Sequence, residues 1–301
     1  MSKQKNDRRD FLKAVGTGVF ALSVLATTGS SVFAAQTPAA PDMSNGADNF
    51  YTSDKVTVEK VTFKNQYGMK VAGNLFSLKN LDPQSKNAAI IVGHPMGAVK
   101  EQSANLYATK MAEQGFVTLS FDLSFWGESE GLPRQSVAPD IYAEDFSAAV
   151  DFLGTRSLVD RERIGVTGHS HGGLMTANLI AHTTLFKAGV ATSGSYNKTF
   201  TPFGFQNERR SVWQAQDVYL KASPFFYADK IKLPLLLVHG EDDANPGTEP
   251  FQSRKLFQAI RGNGGTTRLV MLPHEPHWYT ALESNEQLVS EMLTWFDTYV
   301  K

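Results

Sequence analysis

The chain has 301 residues, with 29 basic and 30 acidic side chains and a formal net charge of −1. This balance provides no basic field to attract nucleic acid, so the sequence argues against a nucleic-acid partner. Cysteine is absent, which excludes a thiol nucleophile, a thiolate metal site and a fold held by disulfides.

Residues 1–34 have the order of a bacterial export signal: a basic start, a short apolar core and a Val-x-Ala ending. The apolar run, residues 14–26, is well short of the ~20 residues that span a bilayer, which favours a cleaved signal over a membrane anchor. The pair Arg8-Arg9 resembles the twin-arginine signal, which exports folded proteins. We therefore expect cleavage after Ala34, the twin-arginine machinery as a partner, a periplasmic or secreted protein, and no stable membrane anchor after cleavage.

Residues 35–50 form a polar, proline-containing stretch with nothing to pack, so we predict a flexible leader there. The folded domain is predicted over residues 51–301. It opens with two alternating segments, Val56 to Phe63 and Lys70 to Ser77, joined by a hairpin turn.

Strands and helices then alternate. A continuous apolar run, typical of a strand buried on both faces, lies at 88–92, and further strands are predicted at 116–121, 164–167, 188–191, 235–238 and 269–272. Apolar residues at helical spacing predict helices near 104–112, 146–153, 174–181, 251–260 and 288–299. This order predicts an α/β fold with a mostly parallel sheet that helices cover on both faces.

The segment Gly168-His169-Ser170-His171-Gly172 follows a predicted strand and precedes a helical pattern. It reads as G-x-S-x-G, the nucleophile elbow, in which a sharp turn holds the serine hydroxyl above the sheet. The glycines allow strand and helix to pass closely without a Cβ clash. This context favours a catalytic Ser170 over a chance glycine-rich loop, and it lies at the carboxyl end of a strand, where sites form in such sheets.

A nucleophilic serine needs a base, and the base needs a carboxylate to fix its tautomer. The expected chain order is Ser, acid, His, and only His274 and His277 follow a plausible acid. The acid should lie in the loop after strand 235–238, where we choose Asp243, with Asp242 as second choice. We favour His277 over His274 because it lies deeper in its loop and aromatic residues follow it.

An oxyanion hole needs two backbone N–H groups. One is expected from His171, directly after the nucleophile, and the other from the loop 93–97. Pro95 has no N–H, so the second donor is Met96 or Gly97, and we take Met96. Judged alone, the loop also reads as a plain Gly/Pro turn.

Aromatic side chains are expected around the mouth of the site. We predict that Phe125, Trp126 and Trp278 contact a small-molecule substrate. The aromatic-rich segment 196–230 is either a lid or packed surface, and both interpretations stay open. We expect no cofactor and no metal, since no histidine pair has the H-E-x-x-H spacing.

Taken together, these motifs resemble the α/β-hydrolase superfamily, near its dienelactone-hydrolase-like and stand-alone prolyl-oligopeptidase-like branches. The motifs that carry the resemblance are His94-Pro95-Met96-Gly97, Phe121-Asp122 with Gly127-Glu128-Ser129-Glu130-Gly131, Gly168-His169-Ser170-His171-Gly172, His239-Gly240-Glu241-Asp242-Asp243 and His277. The resemblance implies an eight-stranded type of sheet with a small lid-like insertion, and its H-G-x-x-D motif places the acid on Asp243. Dienelactone hydrolases use cysteine where Ser170 stands, so their substrate class does not carry over.

The sequence thus predicts an exported serine hydrolase that cleaves a carboxylic ester through an acyl-enzyme, with Ser170, His277 and Asp243 as catalytic triad. The first alternative is a peptidase or amidase with the same triad. The second, from another class, is a non-catalytic binding member of the fold.

Overall fold

The computed structural model describes residues 51–82 and 84–301. The predicted export signal and leader lie outside the described residues. Eight strands form one sheet: β1 Val56–Lys64, β2 Lys70–Leu78, β3 Asn87–Gly93, β4 Val117–Phe121, β5 Val159–His169, β6 Ala188–Thr192, β7 Leu235–Gly240 and β8 Thr267–Leu272. The helices are α1 Ser103–Ala112, α2 Pro139–Gly154, α3 His171–His182, α4 Gln216–Lys221, α5 Phe251–Gly262 and α6 Leu282–Tyr299.

The strand order across the sheet is β1-β2-β4-β3-β5-β6-β7-β8. β2 pairs antiparallel with both β1 and β4, and every pairing from β4 to β8 is parallel. The predicted α/β fold with a mostly parallel, eight-stranded sheet is therefore confirmed.

Two apolar layers cover the two faces of the sheet. Successive residues of a strand point to opposite faces, so Ile91 packs with one layer, and Ile90 and Val92 pack with the other. Helices α2, α3 and α5 contribute to the first layer, and α1 and α6 to the second. The continuous apolar run at 88–92 follows from this burial on both faces.

Between β6 and β7 lies an insertion that carries α4 and two short 3₁₀ segments, Lys198–Phe200 and Pro224–Lys230. Among the described residues, no helix is long and apolar enough to cross a membrane.

Candidate active site

Ser170 lies on the turn between β5 and α3, the predicted strand–turn–helix context. Its backbone has φ 57° and ψ −113°, a region that residues with a Cβ rarely occupy. The neighbouring glycines permit this turn. A Cβ on Gly168 would lie 2.6 Å from the Gly172 carbonyl carbon, and one on Gly172 would lie 2.9 Å from the Gly93 oxygen. The geometry explains why the motif needs glycine on both sides of its serine.

Asp243 and His277, predicted as acid and base, are hydrogen-bonded to each other. The distance from His277 Nδ1 to Asp243 Oδ2 is 2.8 Å, and the aspartate side chain is fully buried. Burial alone would raise the pKa of Asp243, but hydrogen bonds from His239, His277 and the Asn245 N–H together hold it well below its usual range. The group is therefore a carboxylate that can only accept, and Nδ1 of His277 must donate. In the neutral ring, Nε2 is then the atom whose lone pair can accept a hydrogen bond.

Two further side chains hold Asp243 in place. His239 Nε2 lies 2.9 Å and Thr248 Oγ1 3.0 Å from Asp243 Oδ2. The other nitrogen of the His239 ring, Nδ1, lies 2.6 Å from Ser253 Oγ. Since Asp243 only accepts, His239 donates through Nε2, and the serine hydroxyl donates to Nδ1. Sequence reasoning assigned no role to His239 or Thr248, although His239 stands at the first position of the quoted H-G-x-x-D motif.

The second-choice residues, His274 and Asp242, lie on the surface. Their side chains are 95% and 65% exposed, and 3.8 Å separates His274 Nδ1 from Asp242 Oδ2. An exposed pair of this kind neither fixes a tautomer nor excludes water. The placement of these side chains thus favours Asp243 and His277 as the acid and base.

The elbow and the His277 loop meet at the carboxyl edge of the sheet. Ser170 N–H donates to the Thr192 carbonyl at the end of β6 (2.8 Å). The ring of His169, next to the serine, lies 5.1 Å from the ring of His277 between centroids. Within residues 51–82 and 84–301, no hydrogen bond joins the Ser170 hydroxyl to His277. Catalytic hydrogen bonds often shorten only when substrate binds, and the complete triad stays a prediction.

The predicted oxyanion donors lie at the start of α3 and in the loop after β3. His171 is the first residue of α3, and no described group accepts the backbone N–H of His171 or of Met96. The loop that carries Met96 is held by the buried ring of His94. The Leu123 N–H donates to its Nε2 (3.1 Å), so its Nδ1 donates to the Pro95 carbonyl (2.6 Å). The role of the two N–H groups stays a prediction.

The imidazole of His171 links the elbow to the insertion. Its Nδ1 lies 2.6 Å from Gln206 Nε2, and the Tyr142 ring meets it edge-on at 5.5 Å between centroids. Burial is the main cause that lowers the pKa of His171 to about 3, and the positive charge of Lys198 is the second cause. The ring is therefore neutral. No group of three or more His, Cys, Asp or Glu side chains in the described part of the chain is arranged to hold a metal ion.

The three predicted substrate contacts differ in exposure. Phe125 is buried and packs in the core, and the half-buried Trp126 donates from Nε1 to Tyr142 Oη (2.7 Å). Trp278 is 57% exposed, and its ring lies 5.1 Å from His169 and 5.0 Å from His277. Trp278 is thus both accessible and adjacent to the base, and direct contact of all three with substrate stays a prediction.

The predicted lid, segment 196–230, combines packed and exposed aromatic residues. Tyr196 and Tyr219 are fully buried, whereas Phe203 and Trp213 are 80% and 67% exposed. The rings of this exposed pair lie 5.7 Å apart between centroids. The two buried tyrosines therefore pack the segment against the domain, and Phe203 and Trp213 expose an apolar pair to solvent. Both interpretations, lid and packed surface, stay open.

Comparison with known proteins identifies relatives at the levels of sequence and fold. Over 167 residues the chain is 50% identical to the "Probable glutamyl endopeptidase, chloroplastic" of Arabidopsis thaliana, which covers 54% of this chain and 17% of that protein. It is 44% identical over 211 residues to the uncharacterized protein PA2218 of Pseudomonas aeruginosa, covering 66% of this chain and 55% of that one. The chain thus spans about a sixth and about half of the length of these two relatives.

Solved structures agree with this relationship. The crystal structure of PA2218 matches with a TM-score of 0.65 and 29% identity, covering 83% of this chain and 96% of that chain. An acylaminoacyl peptidase of Pyrococcus horikoshii matches in fold, with a TM-score of 0.68 at 21% identity, over 82% of this chain and 42% of that chain. The family model described as "Prolyl oligopeptidase family" matches residues 137–301, more than half of the chain. The chain therefore belongs to the prolyl oligopeptidase family, within the α/β-hydrolase superfamily.

Proposed function

We propose that the protein cleaves carboxylic esters through an acyl-enzyme formed on Ser170. The observation that carries the proposal is the buried 2.8 Å hydrogen bond from His277 Nδ1 to Asp243 Oδ2. This bond leaves the Nε2 lone pair of His277 as a base at the same sheet edge as the elbow. A base fixed in this way is what a serine hydroxyl needs to become a nucleophile.

The reaction follows from these positions. His277 Nε2 takes the proton of Ser170 Oγ as this oxygen attacks the ester carbonyl, and the backbone N–H groups of Met96 and His171 stabilise the developing oxyanion. The protonated His277, stabilised by Asp243, then gives its proton to the leaving alcohol as the C–O bond breaks. In the second half, His277 activates a water molecule that releases the acid and restores Ser170.

A peptidase is the second candidate, because the plant relative at 50% identity is named a glutamyl endopeptidase. The same triad and oxyanion donors serve ester and amide cleavage. The two candidates differ in the leaving group, and in the site that a peptide needs for its flanking residues. A direct comparison of ester and anilide substrates therefore separates them.

Among neutral esters, those with short and medium acyl chains are expected to react fastest. We predict a higher kcat/KM for the 4-nitrophenyl esters from acetate to hexanoate than for palmitate, and slow turnover of aminoacyl anilides. The physical reason is the apolar wall that Trp278 provides beside His277, since burial of apolar surface contributes about 25 cal/mol per Å². Chain-length series of kcat/KM on the purified protein and on Trp278→Ala measure this effect. A maximum at palmitate would contradict the expected substrate size, and preference for an anilide would favour the peptidase.

A further inference from the structure

One buried lysine in the insertion has no carboxylate partner. Lys198 is buried, with only 6% of its surface exposed. Its Nζ donates to Ser195 Oγ (3.1 Å) and lies 5.4 Å from the centroid of the Phe205 ring. Among the described residues it forms no ion pair, and two of its three N–H donors lack a protein partner. Burial lowers the pKa of Lys198 to about 8, so the group is still mostly charged at pH 7.

Lys100 shows how the same fold treats a buried lysine that is structural. Its Nζ lies 2.6 to 2.7 Å from carboxylate oxygens of Glu101, Asp122 and Glu128. An ammonium taken out of water without such partners costs several kcal/mol, because the interior replaces little of its hydration. The ammonium of Lys198 has only the Ser195 hydroxyl and the Phe205 ring as partners in the described fold, so no opposite charge offsets the cost of its burial. Groups with strongly perturbed ionisation of this kind cluster at functional sites.

Two short series of contacts connect Lys198 with the elbow. It follows β6 by a few residues, and the last residue of β6, Thr192, accepts the Ser170 N–H (2.8 Å). The ammonium of Lys198 lies over the ring of Phe205. The next residue, Gln206, has its Nε2 atom 2.6 Å from His171 Nδ1. The positive charge of Lys198 is also among the causes that lower the pKa of His171. The ammonium is thus near the residue that follows the nucleophile, on the insertion side of the site.

We propose that Lys198 binds a carboxylate on the acyl group of the substrate, which gives the enzyme a preference for acidic acyl groups. The inference rests on the proposed acyl-enzyme at Ser170 and adds the chemistry of the acyl group. A carboxylate would accept the two N–H donors that have no protein partner and would offset the buried charge. Charge-assisted hydrogen bonds in a site that excludes water are stronger than neutral ones. A neutral acyl group of the same shape would leave the ammonium unpaired, which is a strong basis for discrimination.

The test compares α-methyl esters of N-acetylglutamate and N-acetylglutamine, which differ in charge but hardly in shape. The wild-type protein is expected to have a kcat/KM about 10- to 100-fold higher for the glutamate ester. Lys198→Met should bring this ratio close to one, and Lys198→Arg should keep much of it because it keeps a cation. Lys221→Met is the matched control: this lysine lies in the same insertion with a side chain that is 75% exposed, and its loss should leave the ratio unchanged.

Thermal unfolding gives a second measurement that needs no substrate. At pH 7, Lys198→Met should raise the melting temperature, because it removes an unpaired buried charge, whereas loss of a structural cation lowers it. A wild-type ratio near one would overturn the proposal without any variant. So would a high ratio that survives in Lys198→Met, or a lower melting temperature with the preference intact. If Ser170→Ala still hydrolyses both esters, the proposed function itself fails; if hydrolysis depends on Ser170 but ignores the charge, only the role of Lys198 fails.

Discussion

Replacing His277 with alanine is expected to lower the turnover of activated esters about 10⁴- to 10⁶-fold, as removal of a triad member does. The imidazole is the group that takes the serine proton and returns it to the leaving group. Its Nδ1 donates to a buried carboxylate at 2.8 Å, which fixes the ring, and the variant removes both the ring and this bond. Measurement of kcat and kcat/KM with 4-nitrophenyl acetate tests this expectation.

The double variant His277→Ala with Asp243→Ala should lose little more than His277→Ala alone, because the two groups act as a unit. His274→Ala is the matched control, since this histidine lies in the same loop with a side chain that is 95% exposed. It should retain nearly full activity. A large loss in His274→Ala with a nearly silent His277→Ala would show that the base is assigned to the wrong histidine.

Replacing Lys100 with methionine is expected to lower the free energy of unfolding by about 3–5 kcal/mol, the usual cost of breaking a buried ion pair from one side. Asp122, whose side chain is fully buried, would lose an ammonium at 2.7 Å and keep an uncompensated charge. The same carboxylate accepts backbone N–H groups of Lys100 and Glu128 (2.8 and 2.9 Å), so the loop after β4 depends on it. Denaturant unfolding at neutral pH measures the change.

Lys187→Met is the control for this stability experiment. Lys187 is 46% exposed in its side chain, and its Nζ lies 3.7 Å from Glu162, whose side chain is 82% exposed. Pairs of this kind contribute about 0–1 kcal/mol, so the control should stay within that range. A loss below about 1 kcal/mol in Lys100→Met would contradict a structural role for the buried cluster.

Much of the fold could be predicted from local patterns. Alternating segments located β1 and β2, apolar segments located the other six strands, and apolar residues at helical spacing located the main helices. Burial on one or both faces of an element produces each of these patterns. Boundaries were less accessible: β5 begins at Val159 and α2 at Pro139, earlier than their apolar patterns indicate. Residues 160–163 of β5 are polar and half-buried or exposed, and α2 opens with Pro139 and Asp140 ahead of the buried Tyr142, so the apolar pattern starts later than the element does.

Contacts between residues far apart in the sequence could not be predicted from local patterns. Lys100 meets Asp122 across 22 residues, and His239 meets Asp243 through a bond that only the folded loop creates. The sequence alone gives no physical reason for the glycines in the motif from Asp122 to Gly131. A Cβ on Gly127 would lie 2.2 Å from the Asp122 carboxylate, so the glycine is required by the ion cluster beneath it. Side chains that hold functional residues in place leave no periodic signal.

The central claim is that Ser170 is the acylated nucleophile, and a fluorophosphonate probe tests it most directly. The elbow geometry predicts one covalent adduct on the purified protein, located by mass spectrometry on the peptide that contains Ser170. Ser170→Ala should remove the adduct while the protein keeps its fold, as circular dichroism would verify. Labelling that persists in Ser170→Ala, or an adduct on another serine of the wild-type protein, would contradict the account.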